Sequence, residues 1–207
     1  MKKTTVLAGL FLFSFAGVTQ AALLTNGDFQ TGDLTGWNYA SNVTVSTGGG
    51  GNSIAKFNVA SPISGNGSAQ LYQNFDVNPG WDGINIQFDV QFNTGVVTSQ
   101  DFFRALTRLE IDGNPTDNVN QFFKITENTG GWQHVSYTLL FAGLTIDPAT
   151  PNARLSFLLD ENVRDWSWAN LDNVEVNAVP VPAALFMFAP ALLGFMGLRR
   201  RAKNKVS

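Results

Sequence analysis

Two short stretches of this chain place reactive or ligand-binding side chains at spacings suited to chemistry. Glu110-Ile111-Asp112 sets two carboxylates one residue apart. On an extended strand such positions share a face, and two carboxylates on one face are the basic equipment for cleaving a glycosidic bond. Asp112-Gly113 also reads as a hairpin turn, which would take Asp112 off the strand. Trp166-Ser167-Trp168 has the same spacing and a different chemistry. Two indoles on one side of an extended segment offer flat apolar faces to the C–H surfaces of a sugar, and a few polar groups orient the ligand. Asp160, Glu161, Arg164 and Asp165 flank the pair and supply such groups, and Trp81 lies in a similar loop-like context. The competing reading is that these tryptophans cap the ends of an apolar core. The single histidine, His134, alternates with Val135 and Tyr137 and therefore belongs to the wetter face of its strand; no Gly-x-Ser-x-Gly segment or Ser/His/Asp set accompanies it.

Strands and turns must position these groups. Ile84, Ile86, Phe88, Val90 and Phe92 alternate with other residues, which predicts a strand with one dry face. Phe103, Ala105, Leu109 and Ile111 predict a second, Val135 to Phe141 a third and Ala153 to Leu159 a fourth. Shorter candidates are Val43 to Val45, Ala55 to Val59, Ala69 to Phe75, Phe122 to Ile125 and Leu171 to Val176. Turn signals separate them, among them Gly65-Asn66-Gly67, Asn78-Pro79-Gly80 and Gly130-Gly131. Many short strands, each with one dry face, predict an all-β, antiparallel two-sheet β-sandwich.

The two ends have a different character. Lys2 and Lys3 precede the apolar stretch Val6 to Val18, and Thr19-Gln20-Ala21 presents small residues for cleavage, so residues 1–21 read as a secretory signal peptide. At the other end, Val179-Pro180-Val181-Pro182 leads into the uncharged segment Ala183 to Leu198 and then Arg199-Arg200-Arg201. Together with Val179 to Pro182 the segment approaches the roughly twenty residues of a transmembrane helix, and the basic cluster should remain cytoplasmic. This tail resembles the PEP-CTERM sorting signal of exopolysaccharide-producing Gram-negative bacteria, in its Pro-x-Pro motif, its Leu192-Leu193-Gly194 and its terminal arginines. Val181 stands where that signal usually has Glu. The resemblance implies processing by an exosortase near Pro182, and residence at the inner membrane before release to the cell surface or extracellular matrix.

Between the ends, residues 22–178 make one domain. Its six basic residues face all sixteen acidic ones, a formal excess of ten negative charges that the whole-chain value of −3 conceals. Such a composition argues against nucleic-acid binding and shows no basic patch. With no cysteine and one histidine, the fold has no disulfides, and a structural zinc site within one chain is nearly excluded.

Four fragments carry a second resemblance. Leu24-Thr25-Asn26-Gly27-Asp28-Phe29-Gln30 with Gly36-Trp37, Ser68 to Gln73, Gly131-Trp132-Gln133-His134 to Leu139, and Leu171 to Val176 resemble, in order and spacing, the jelly-roll modules of carbohydrate-binding families 4, 9 and 22. The resemblance implies a calcium ion tying the first segment to the closing strand, with Asp28, Gln30 and Asp172 at the ligand positions; Gln30 replaces a Glu and brings no charge. It also implies core positions for Trp37 and Trp132. Glu110 and Asp112 resemble part of the Glu-x-Asp-x-Glu strand of laminarinase-type jelly-roll glycosidases, but position 114 is Asn. The combined expectation is an exported, exosortase-sorted, non-catalytic β-sandwich that binds polysaccharide through Trp81, Trp166, Trp168 and Asp165. The alternatives are an adhesive matrix protein that binds other proteins and a divergent glycosidase.

Overall fold

The computed structural model describes residues 22–40, 42–48, 50–58, 67–94, 101–110, 119–148, 151–161 and 166–179. The expected signal peptide, Asp112, Arg164, Asp165, the sorting residues Pro180, Val181 and Pro182, the expected membrane helix and Arg199 to Arg201 lie outside these residues. Within them there are ten strands and no helix.

In chain order the strands are β1 (Asn38–Ala40), β2 (Val43–Thr47), β3 (Ser53–Asn58), β4 (Gly67–Phe75), β5 (Gly83–Asn93), β6 (Phe102–Leu109), β7 (Val119–Ile125), β8 (Gln133–Leu140), β9 (Ala153–Glu161) and β10 (Trp168–Val179). They form two five-stranded sheets: sheet I in the order β1-β4-β9-β6-β7 and sheet II in the order β2-β3-β10-β5-β8. Every neighbouring pair is antiparallel, the arrangement in which a sheet buries one face and wets the other.

The alternation read from the sequence sets the layers. Ile84, Ile86, Phe88, Val90 and Phe92 of β5 are all buried, as are Leu71 of β4, Phe103 of β6, Phe157 of β9 and Leu171 of β10. Phe88 crosses from sheet II to sheet I, packing edge-on against Phe157 at 5.1 Å and Phe123 at 5.4 Å between ring centroids. Aromatic pairs in this geometry contribute about 0.5–1.5 kcal/mol beyond the area they bury. Trp37 completes the cluster at one end, 6.2 Å from Phe157 and 5.7 Å from Phe29. Burial of this aromatic core holds the two sheets together without disulfides.

One expectation about local structure needs correction. Trp132 is not core; it is 47 % exposed. It shares parity with His134 and Ser136, the outward residues of β8, so strand alternation points it into solvent. The β6 alternation holds: Phe103, Ala105 and Leu109 are buried, and Thr107 fills the buried position between the last two. Ile111, expected to extend that strand, lies outside the described residues.

Candidate functional site

Sheet II presents the most coherent polar face. At the start of β10, Trp168 lies opposite Asn58 of β3 and Asn93 of β5. The preceding Ser167 is fully buried, and its Oγ donates to Asp101 Oδ2 at 2.6 Å. Anchoring Ser167 inward sends both neighbours outward, since adjacent extended residues point to opposite sides. Trp166 is 73 % exposed and Trp168 is half-buried. The two indoles line one cleft of about 190 Å³ together with Lys56, Asn58 and Asn170.

The cleft opens onto a row of amides that sequence reasoning overlooked. The wet side of β5 is Asn85, Gln87, Asp89, Gln91 and Asn93, alternating with its buried apolar side. Asn170 Nδ2 donates to Gln91 Oε1 at 3.2 Å, and Gln87 Nε2 to Asn85 Oδ1 at 2.6 Å. Asp89 accepts from Asn173 Nδ2 at 2.8 Å and pairs with His134 Nδ1 at 2.8 Å. Side-chain amides both donate and accept, so this surface matches neutral hydroxyl-rich ligands better than charged ones. The available signal was the polar half of the β5 alternation, which is all amide or carboxylate and has no Lys or Arg.

Other proposed ligand residues do not join this cleft. Trp81 packs partly buried near Gly83, at the far end of β5 from Asn93. Ten residues of strand separate the two ends, about 33 Å. Trp81 instead borders a separate surface hollow with Asp82 and Leu140. Asp160 and Glu161 precede the tryptophans in sequence but serve sheet I: Asp160 lies 3.0 Å from Arg104, and Glu161 is buried. Asp165 lies outside the described residues. Glu110 follows β6 and its backbone amide donates to the Asn152 carbonyl, while Asp112 lies outside the described residues.

The segments that carry Asp28, Gln30 and Asp172 meet at one joint. The first loop meets the last strand where Val174 N–H donates to the Gly27 carbonyl at 2.9 Å. A Cβ at Gly27 would collide with the Val174 carbonyl, so this close approach requires glycine. Asn26, Phe29 and Asn173 around the joint all have positive φ, near 50°, a conformation that is uncommon outside glycine. Gln30 Nε2 donates to the Asp28 carbonyl at 2.9 Å and to Asn52 Oδ1 at 2.8 Å. Asn52 Nδ2 in turn donates to Asp172 Oδ2 at 2.9 Å. Carboxylate, amide and carbonyl oxygens are the donors that Ca²⁺ takes, so the residue types fit. Asp28 and Asp172 are the acidic members, and among the described residues no group of three or more His, Cys, Asp or Glu gathers at metal-binding range. Nearby, Thr31 Oγ1 donates to Asp33 at 2.7 Å; this bond, aided by Thr35, holds the Asp33 carboxyl below its ordinary value of 3.8.

No family model matches the chain, and no curated protein matches it. Solved structures do match. TmCBM61, solved in complex with beta-1,4-galactotriose, superposes with a TM-score of 0.52 at 14% identity, covering 76% of this chain and 99% of its own. The N-terminal CBM22-1-CBM22-2 tandem domain of Paenibacillus barcinonensis Xyn10C gives a TM-score of 0.53 at 15% identity, covering 81% of this chain and 52% of its own. An arabinose-bound MgGH51 α-L-arabinofuranosidase gives 0.51 at 16% identity, covering 79% of this chain but only 27% of its own. At these identities the likeness is one of fold: the described residues form the two-sheet jelly roll found in carbohydrate-binding modules.

Proposed function

We propose that this protein is an exported polysaccharide-binding β-sandwich that performs no turnover, and that the outer face of sheet II is its binding surface. The observation that carries the reading is the single cleft lined by Trp166 and Trp168 and continued by the amides of β5 and β10. A sugar ring stacked on either indole removes apolar area from water, and Asn58, Asn170 and Gln91 supply hydrogen bonds to its hydroxyls. The shared fold with carbohydrate-binding modules supports this reading.

Affinity electrophoresis of the full chain through gels containing neutral galactan or xylan tests the proposal. Burying a large apolar side chain contributes about 1.5–3 kcal/mol. Trp166→Ala or Trp168→Ala should therefore weaken retention roughly ten- to hundredfold, while Trp81→Ala leaves it unchanged. Equal retention of the Trp166 and Trp168 variants, or no retention of the parent on any neutral glycan, contradicts it. Retention on a matrix protein instead would favour the adhesive reading.

The proposal extends to the ends and to the loop joint. The signal peptide exports the chain, and an exosortase recognises the PEP-CTERM-like tail at Val179, Pro180, Val181 and Pro182 with Arg199, Arg200 and Arg201 behind the helix. The mature domain then resides at the cell surface or in the exopolysaccharide matrix. The tripartite tail paired with a signal peptide supports this. An extracellular form whose intact mass lacks both ends is expected; secreted protein of full mass would overturn the sorting reading. A Ca²⁺ ion at Asp28, Gln30, Asn52 and Asp172 would lock the first loop to β10.

A further inference from the structure

The end of the sandwich opposite the tryptophan cleft carries a rim of apolar side chains. Gly83 of β5, Leu140 of β8 and Val179 of β10 lie side by side there. Asp82 N–H donates to the Val179 carbonyl at 3.0 Å, and Phe141 N–H donates to the Asp82 carbonyl at 2.8 Å. Around this junction Leu140 is 58% exposed, and Leu144 also reaches solvent. Trp81, partly buried against the core, shares an open hollow of about 290 Å³ with Asp82, Leu140, Phe141 and Ala142. Leu140 has the parity of Ser136 and Thr138, so strand alternation points it away from the core. Contiguous exposed apolar surface of this kind marks a contact with a protein or a membrane.

The rim surrounds the point where the chain leaves the described fold. The last residue of β10 is Val179, and the uncharged segment expected to span the membrane begins at Ala183. Four residue steps separate them, a reach of at most about 14 Å. The headgroup layer outside a hydrocarbon core of roughly 30 Å is about 5–8 Å deep on each side. A chain anchored through that segment therefore keeps this end of the sandwich within about 10 Å of the headgroups. Burial of the apolar rim favours closing the remaining gap.

We propose that, while its tail is uncut, the domain stands end-on on the outer leaflet, with Trp81, Leu140 and Leu144 seated among the headgroups of zwitterionic phospholipid. The inference rests on the export and anchoring reading given above. An indole suits this position, because its apolar body and polar N–H match the two sides of the interface. Residues 76–83 and 139–148 carry Asp76, Asp82 and Asp147 and no Lys or Arg, so the contact is apolar and gains nothing from anionic lipid. The orientation has a consequence for the other end. The strand that ends at Val179 begins at Trp168, so β10 holds the tryptophan cleft about 36 Å from the rim. The cleft then faces away from the bilayer and is open to glycan while the chain is still anchored.

The test uses the full chain reconstituted in phosphatidylcholine vesicles whose acyl chains carry bromine close to the headgroup, a short-range quencher of tryptophan emission. Trp37 is buried, and Trp132, Trp166 and Trp168 belong to the far end of sheet II, which leaves Trp81 as the reporter. Emission should fall, relative to unbrominated vesicles, by about one tryptophan's share of the five. The loss should vanish in Trp81→Phe, persist in Trp166→Phe and stay the same when phosphatidylglycerol is added. A Leu140→Asp, Leu144→Asp double variant, changed only at exposed sites, should lower the quenching on the order of twofold while the chain still floats with the vesicles. A chain that floats with the vesicles but is not quenched, or is quenched equally in Trp81→Phe, overturns the docking and leaves the anchor standing. A chain that does not float with the vesicles overturns the anchor, and the docking with it. Absence of quenching in a chain that cross-links as a dimer would give the rim to a second copy and overturn the proposal equally.

Discussion

Gln30 shows how one side chain can join two distant parts of a chain. Its amide nitrogen donates to oxygens of Asp28 and Asn52, and Asn52 reaches Asp172 on the last strand. A cation at this joint would need the amide to rotate and offer Oε1, leaving the two aspartates as the charged ligands. Weak extracellular calcium sites have dissociation constants of about 10⁻⁴–10⁻³ M. Saturation at ten to a hundred times that value stabilises a fold by about 1.4–2.7 kcal/mol, roughly 3–11 °C for a domain of this size. Millimolar CaCl₂ should therefore raise the thermal midpoint of the parent by that order, measured by circular dichroism against an EDTA control. Gln30→Glu should enlarge the rise, because it restores a charged ligand. Identical midpoints with CaCl₂ and EDTA in both proteins would remove calcium from the account.

Strand alternation determined what could be read in advance. The strands around Phe88, Tyr137 and Phe157 were legible because each dries one face, and that pattern needs no knowledge of the partner strand. Strand β1 was not legible: all three of its residues are exposed, so no apolar period marks it. Trp166 and Trp168 were expected to share a side, and they line one cleft. Trp81 shares their residue type and loop-like context, but it precedes β5 at the end of that strand far from the cleft. The meeting of arginines on sheet I was illegible for another reason. Arg108 and Arg154 become neighbours only through the non-local pairing of β6 with β9, and nothing in either local sequence specifies that register. The amide row is present in the sequence but hidden, because the same residues are also the spacers between the core positions of β5.

At the scale of the whole molecule, the sandwich separates two kinds of surface by its thickness. One outer face combines indoles with amides; the other carries, among the described residues, Arg104, Arg108, Lys124 and Arg154. Both are held by the same aromatic core, in which Phe88 of one sheet packs on Phe157 of the other. The direct test of the tryptophan face is intrinsic tryptophan emission, titrated with neutral oligosaccharides of whichever glycan retains the chain. Trp166 is largely exposed and Trp168 half-buried, so ligand stacking should shift the emission to the blue, and the shift should vanish in a Trp166→Phe, Trp168→Phe double variant. An emission spectrum unchanged at saturating ligand, or a shift that survives in the double variant, would place the bound sugar elsewhere and contradict the account.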